Sequence, residues 1–168
     1  MTAQETSLLT LSPGAGEVVW FLDSRMTIKE GASTSRGQFG LVEALVPPGN
    51  SPALHIHHAE DEIFWIIEGH LTFRCGNETF SAAPGSYVRL PRGVPHTFVV
   101  EGDSNARYLI LYVPGGAERF FVEAGRAPEG EGLPPRGPMD FELIARVSAK
   151  FKMEIVGPPM KPLSGSRS

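Results

Sequence analysis

The chain has five histidines, His55, His57, His58, His70 and His96, and all of them fall between positions 55 and 96. Residues two apart on an extended segment point to the same face, so His55 and His57 set two imidazoles side by side, roughly 6.5 Å apart along the chain. Glu62 opens the next apolar run after a short connection, where a hairpin return puts its carboxylate beside the pair. His96 follows the turn Pro91-Arg92-Gly93-Val94-Pro95 and starts another run. Three imidazoles and one carboxylate make, by ligand type, a site for a divalent transition metal. The competing reading is a set of ordinary surface or core polar residues. His58 faces away from His55 and His57, which suits a solvent-facing role or one behind the ligands. His70, at a turn, reads as exposed, and Cys75 alternates with Leu71 and Phe73, which suits core packing.

Such residues need short, stiff elements to hold them. Gly 19 and Pro 15 in 168 residues signal many turns, and many turns favour strands over long helices. Apolar runs rich in β-branched and aromatic residues predict strands at 17–22, 26–30, 38–46, 53–57, 61–68, 71–75, 86–90, 96–100 and 107–113, punctuated by Gly and Pro. Nothing between them reads as a helical crossover, so the pairing is antiparallel and the architecture a closed barrel or sandwich. Helices are expected at 117–124 and 141–151. The second is capped by Asp140 and carries Phe141, Ile144 and Val147 on one face. The expected organisation is an arm at 1–16, a β core at 17–116, a helical extension at 117–156 packed outside the barrel, and a mobile tail at 157–168.

Composition narrows the function classes. Fifteen basic against nineteen acidic residues give a net charge of −4, and no local basic stripe overrides it, so nucleic acid is not an expected partner. A single cysteine excludes a disulfide framework and a Cys-rich zinc site. No apolar run approaches the roughly 20 residues that span a bilayer. The first dozen residues do not read as a secretory signal. A cytoplasmic protein is the expectation.

The spacing carries more. From Gly49 the chain runs five residues, His55-x-His57, four residues, Glu62, six residues, Gly69; from Gly85 it runs five residues, Pro91-x-Gly93, two residues, His96. These resemble the two signature motifs of the cupin superfamily, in order, within residues 38–113 and with every ligand position filled. One departure is Val100, where the second motif usually ends in Asn; the change implies a drier cavity. The phrases PALHIHHAEDEIFWIIEG, GGAERFFVEAG and EIVGPP resemble small single-domain cupins described as quercetin dioxygenase-like. The resemblance implies an all-β, cupin-like antiparallel jelly-roll barrel, usually a homodimer, with the metal held inside by His55, His57, Glu62 and His96.

With the ligands inward, alternation puts Phe64, Ile66, Phe98 and Val100 on the barrel's inner wall. Tyr108 and Tyr112 are further pocket candidates, one of them more readily than both. Ile63, Trp65 and Ile67 take the outer face, to pack under the helices or against a second subunit. Arg89 and Arg92 are candidates to meet an acidic substrate, with solvation the commoner fate. Four protein ligands leave two positions open on a hexacoordinate ion, whose formal charge of +1 suits an enolate or phenolate. Fe(II), the favoured metal, would bind dioxygen beside it; Zn, Ni, Mn and Co suit the same ligands. The expected function is a quercetinase-like dioxygenase acting on an enolised or aromatic small molecule, with Glu62 as the catalytic base. The alternatives are a non-redox lyase, isomerase or cyclase on the same site, or a small-molecule-binding cupin without turnover.

Overall fold

The structure, a computed structural model, describes residues 8–137 and 139–163. Apolar runs in the sequence become strands that alternate in burial. Along Ala106–Val113 every even residue is buried and every odd one partly exposed, and Gly40–Val46 behaves the same way. Among the described residues the strands are β1 (Glu17–Phe21), β2 (Ser24–Glu30), β3 (Gly40–Val46), β4 (Leu54–His57), β5 (Asp61–Glu68), β6 (His70–Cys75), β7 (Glu78–Ala82), β8 (Tyr87–Leu90), β9 (His96–Glu101), β10 (Ala106–Val113) and β11 (Met153–Gly157). The helices are α1 (Arg119–Ala124) and α2 (Phe141–Lys150). One sheet runs β1-β2-β3-β10-β5-β8, the other β11-β4-β9-β6-β7, with antiparallel pairing throughout. The inner faces enclose an aromatic cluster. Phe64 meets Phe73, Phe98 and Tyr108 with ring centroids 5.1, 5.5 and 5.4 Å away. All four are buried, each contributing about 1.5–3 kcal/mol by leaving water. This is the antiparallel jelly-roll barrel that the cupin resemblance implies.

Two strands depart from the sequence reading. β7 was not expected: only Ala82 of its five residues is buried, so its apolar signal is thin. β11 was not expected either: it follows the helix expected at 141–151, straddling the end of the extension at 117–156, and pairs with β4, Met153 opposite His57 and Ile155 opposite His55. The expected mobile tail is also bonded where it is described. Pro158 O accepts from Leu54 N–H, Met160 N–H donates to Ser51 Oγ, and Leu163 N–H donates to Glu101 Oε1. Residues 164–168 of that tail and 1–7 of the arm lie outside the described residues.

Asp140 caps α2 as expected, its side chain accepting from Leu143 N–H at 2.9 Å. Phe141 is not on the buried stripe. It is 72% exposed, and Leu143, Ile144 and Val147 face the core instead. α1 packs on β1, α2 on β11, and the helices on each other. They thus close the seam between the edge strands of the two sheets and do not cover the outer stripe. Ile63 and Ile67 are half-buried there, while Trp65 and its ladder neighbour Tyr87 are exposed.

A buried carboxylate ties the junction before α1. Glu118 is fully buried; its Oε1 accepts from Ala32 N–H at 2.8 Å and its Oε2 from Gly116 N–H at 2.6 Å. Gly40 provides the room, since a Cβ there would stand 2.1 Å from Glu118 Oε2.

Candidate metal centre

β4 carries His55 and His57, β5 begins with Asp61 and Glu62, and β9 begins at His96, which pairs directly with His55. One donor atom from each of His55, His57, Glu62 and His96 lies within 4.8 Å of the others. Ligands sharing an ion such as zinc at about 2.0–2.2 Å must lie within about 4.4 Å of one another, so small side-chain adjustments close the shell. All four are buried, between 1% and 8% exposed. His96 Nε2 stands 3.2 Å from Glu62 Oε2 and His57 Nε2 3.8 Å from it.

The outer nitrogens explain why the inner ones are free. His55 Nδ1 sits 2.7 Å from Ala53 O, His96 Nδ1 2.9 Å from Val94 O, and His57 Nδ1 makes a short contact with Glu60 Oε1. A carbonyl can only accept, so the proton of His55 and of His96 is on Nδ1 and the Nε2 lone pairs turn inward. His96 Nε2 is buried with no hydrogen-bond partner. A buried acceptor without a donor is costly, and a cation at the centre would satisfy it. The donor set fits a divalent transition metal.

Electrostatics follow the same geometry. Burial holds His55 down to about 4, with the charge of Glu62 opposing. Burial also works against a proton on His57, but the hydrogen bond that its Nδ1 donates to Glu60 and the charges of Glu62 and Glu60 outweigh it and raise the group. Burial would raise Glu62, yet its contact with His96 and the three imidazoles beside it bring it down to about 2. Tyr108 and Tyr112 are pushed well above the ordinary phenol value by burial and then by Glu62, so both keep their protons.

The turn between β4 and β5 is clasped by the segment before β9. Arg92 donates from Nε to Asp61 Oδ1, from one terminal nitrogen to Ala59 O and from the other to Val113 O, while Gly93 N–H donates to His57 O. Arg92 is therefore engaged with its own chain. Arg89 is more exposed, 3.8 Å from Asp61 Oδ2. His58 bonds Glu154 on β11 at 2.8 Å, His70 is exposed, and half-buried Cys75 packs against the core.

The six pocket candidates separate by depth. Tyr112 is nearest, its ring 5.8 Å from that of His57 and its position opposite Glu62 on the β5–β10 ladder. Phe98 and Phe64 lie two residues along from His96 and Glu62 and touch each other and Tyr108. Ile66 and Val100 are four residues along, about 13 Å from the ligands, and have no exposed surface. The expectation that one tyrosine faces inward is corrected: both do, because a spacing of four along β10 keeps them on one face, and they are 1% and 2% exposed. Two features were absent from the sequence reading. Glu60 is buried against His57, and β11 lays Met153 and Ile155 on the face of His57 and His55.

Comparison with known proteins agrees with this picture. The model of the cupin domain family matches residues 42–112. The uncharacterized protein MJ1618 of Methanocaldococcus jannaschii is 38% identical over 71 residues, 42% of this chain and 55% of that protein. The uncharacterized protein SCO3923 of Streptomyces coelicolor is 35% identical over 57 residues, 34% of this chain and 53% of that one. The chain thus spans about half the length of the curated relatives it matches. Among solved structures, a predicted oxalate decarboxylase of Thermotoga maritima superposes with a TM-score of 0.57 at 18% identity, over 64% of this chain and 99% of that one. KdgF from Halomonas sp. superposes with a TM-score of 0.50 at 17% identity, over 56% and 81%. These likenesses support the fold. No described helix is long and apolar enough to cross a membrane. The ligand spacing, the jelly roll and the matched family agree: residues 42–112 of this chain match the cupin domain family.

Proposed function

We propose that the protein is a metal-dependent enzyme in which His55, His57, Glu62 and His96 hold a divalent transition metal, Fe(II) by preference, and that it adds dioxygen to an enolised or aromatic small molecule. The observation that carries this reading is the convergence of four buried donors with the Nε2 of His96 left unpartnered. When bound, the metal would supply Lewis acidity toward the substrate oxygen and, as iron, a means of engaging dioxygen. The chain's own residues do the rest. Glu62 is ionised and takes the proton from the substrate hydroxyl. Tyr112, protonated and opposite Glu62 on the β5–β10 ladder, flanks that carboxylate. Phe98, Phe64 and Tyr108 form a dry wall that suits a flat, apolar substrate and excludes water, with Ile66 and Val100 packed behind them.

The test is oxygen uptake by Fe(II)-loaded protein offered a panel of phenolic and enolic compounds. Uptake matched to product is expected. Turnover at equal rate with and without air favours the second reading, a lyase, isomerase or cyclase, which the proton-bearing Tyr112 beside the proton-accepting Glu62 supports. Tight stoichiometric binding without product would instead make it a binding protein.

In this reading the enzyme is a cytoplasmic homodimer. The single cysteine supports the compartment, and the exposed outer stripe supports the second copy: Trp65 and Tyr87 are neighbours on the β5–β8 ladder and are 49% and 59% exposed. Trp65→Lys is expected to reduce the mass measured by light scattering from two chains to one. A single-chain mass for the wild type removes this part of the proposal.

A further inference from the structure

The imidazoles of the centre are braced in two ways. His55 and His96 set Nδ1 against main-chain carbonyls, of Ala53 and Val94. His57 sets Nδ1 against a side chain, Glu60 Oε1. That side chain is 4% exposed, and its ion pair among the described residues is with His57. A carbonyl orients an imidazole. A buried carboxylate does this too, and it also strengthens the ring as a donor and adds a charge where little water screens it.

Counting that charge changes the balance of the site. The four ligands alone would leave a dication at +1. Glu60 and Glu62 together carry two negative charges, and imidazoles that bind a cation through Nε2 are neutral, so the enclosed group sums to zero. We infer that Glu60 is a positioning residue that neutralises the metal centre, so that the site selects a substrate arriving as an uncharged enol or phenol over one arriving as an anion. The substrate's hydroxyl proton then passes to Glu62 and the enclosed charge does not change. This inference rests on the metal centre proposed above and names the protonation state of what it takes.

Cobalt(II) and azide are the probes. Glu60→Gln keeps the shape and an amide oxygen that accepts from His57 Nδ1, and removes the charge. Its cobalt affinity, measured by chelator competition, is expected to fall 10–100-fold. Azide, followed by visible absorption of the cobalt form, is expected to bind about tenfold or more tightly than in the wild type. Glu60→Ala, which loses the hydrogen bond as well, should lose more cobalt affinity and show the same gain for azide. Circular dichroism establishes that both variants are folded. Wild-type values for cobalt and azide in folded Glu60→Gln, with loss only in Glu60→Ala, reduce Glu60 to a hydrogen-bond acceptor and overturn the inference. A wild-type protein that takes up no cobalt overturns the metal centre itself, a result distinguishable from the first.

Discussion

The His57→Ala protein is expected to emerge from dialysis without metal, whereas Glu62→Gln retains most of its metal and loses turnover. His57 supplies one of three inward nitrogens, and its loss should cost more than the roughly 10–100-fold that an outer partner of a ligand is worth. The same substitution strands the buried Glu60 carboxylate, whose ion pair is with His57, so the metal-free protein should also lose about 1–3 kcal/mol of stability. Glu62→Gln keeps an oxygen at the centre but not a base, and turnover should fall about 10²–10⁴-fold. Elemental analysis and initial rates on the same preparations separate the two effects. Equal metal loss in both variants would leave Glu62 a ligand only, and full activity in Glu62→Gln would remove it from the chemistry.

The second large effect lies outside the centre. Glu118→Gln differs from the native side chain by one atom, yet it should destabilise the protein by about 2–3 kcal/mol. Both carboxylate oxygens accept from main-chain N–H groups, those of Ala32 and Gly116. An amide offers one acceptor, so its NH₂ must face one of these donors at a fully buried position. Gly40→Ala attacks the same arrangement from the other side, its methyl falling 2.1 Å from one oxygen of a carboxylate whose two oxygens each accept a main-chain hydrogen bond. For a domain of this size, each kcal/mol lowers the melting temperature by about 2–4 °C, so calorimetry should find both variants about 4–12 °C below the wild type. Unchanged melting in Glu118→Gln would mean that the buried carboxylate is not needed as a double acceptor.

The barrel strands were legible where one face is core and the other is not. β10 and β5 announce themselves by apolar runs rich in β-branched and aromatic residues, and β4 and β9 by the turns and histidines around them. β7 was hidden because four of its five residues are at least partly exposed, and such an edge leaves a polar sequence. β11 was hidden for another reason. Its sequence, MEIVG, becomes a strand by pairing with β4, a partner nearly a hundred residues away, and no local pattern encodes that choice. At the site, motif spacing identified the four donors because their roles fix both type and interval. Glu60 was passed over as a spacer between His57 and Glu62. The available clue was its position three residues after His57 across a tight turn, which folds the side chain back on the ring. Glu118 sits in a run that reads as an apolar helix, and only the distant approach of Gly31 and Gly40 makes it a tether.

The pairing of β11 with β4 also bears on how the protein is born. All four donors have been synthesised once His96 is added, but the strand that shelters the edge of β4 comes much later. Until then the two-histidine strand has an open flank able to zip onto a neighbouring nascent chain. An ion that arrives early would find its ligands in place on a half-finished wall, and the last strand would seal it in.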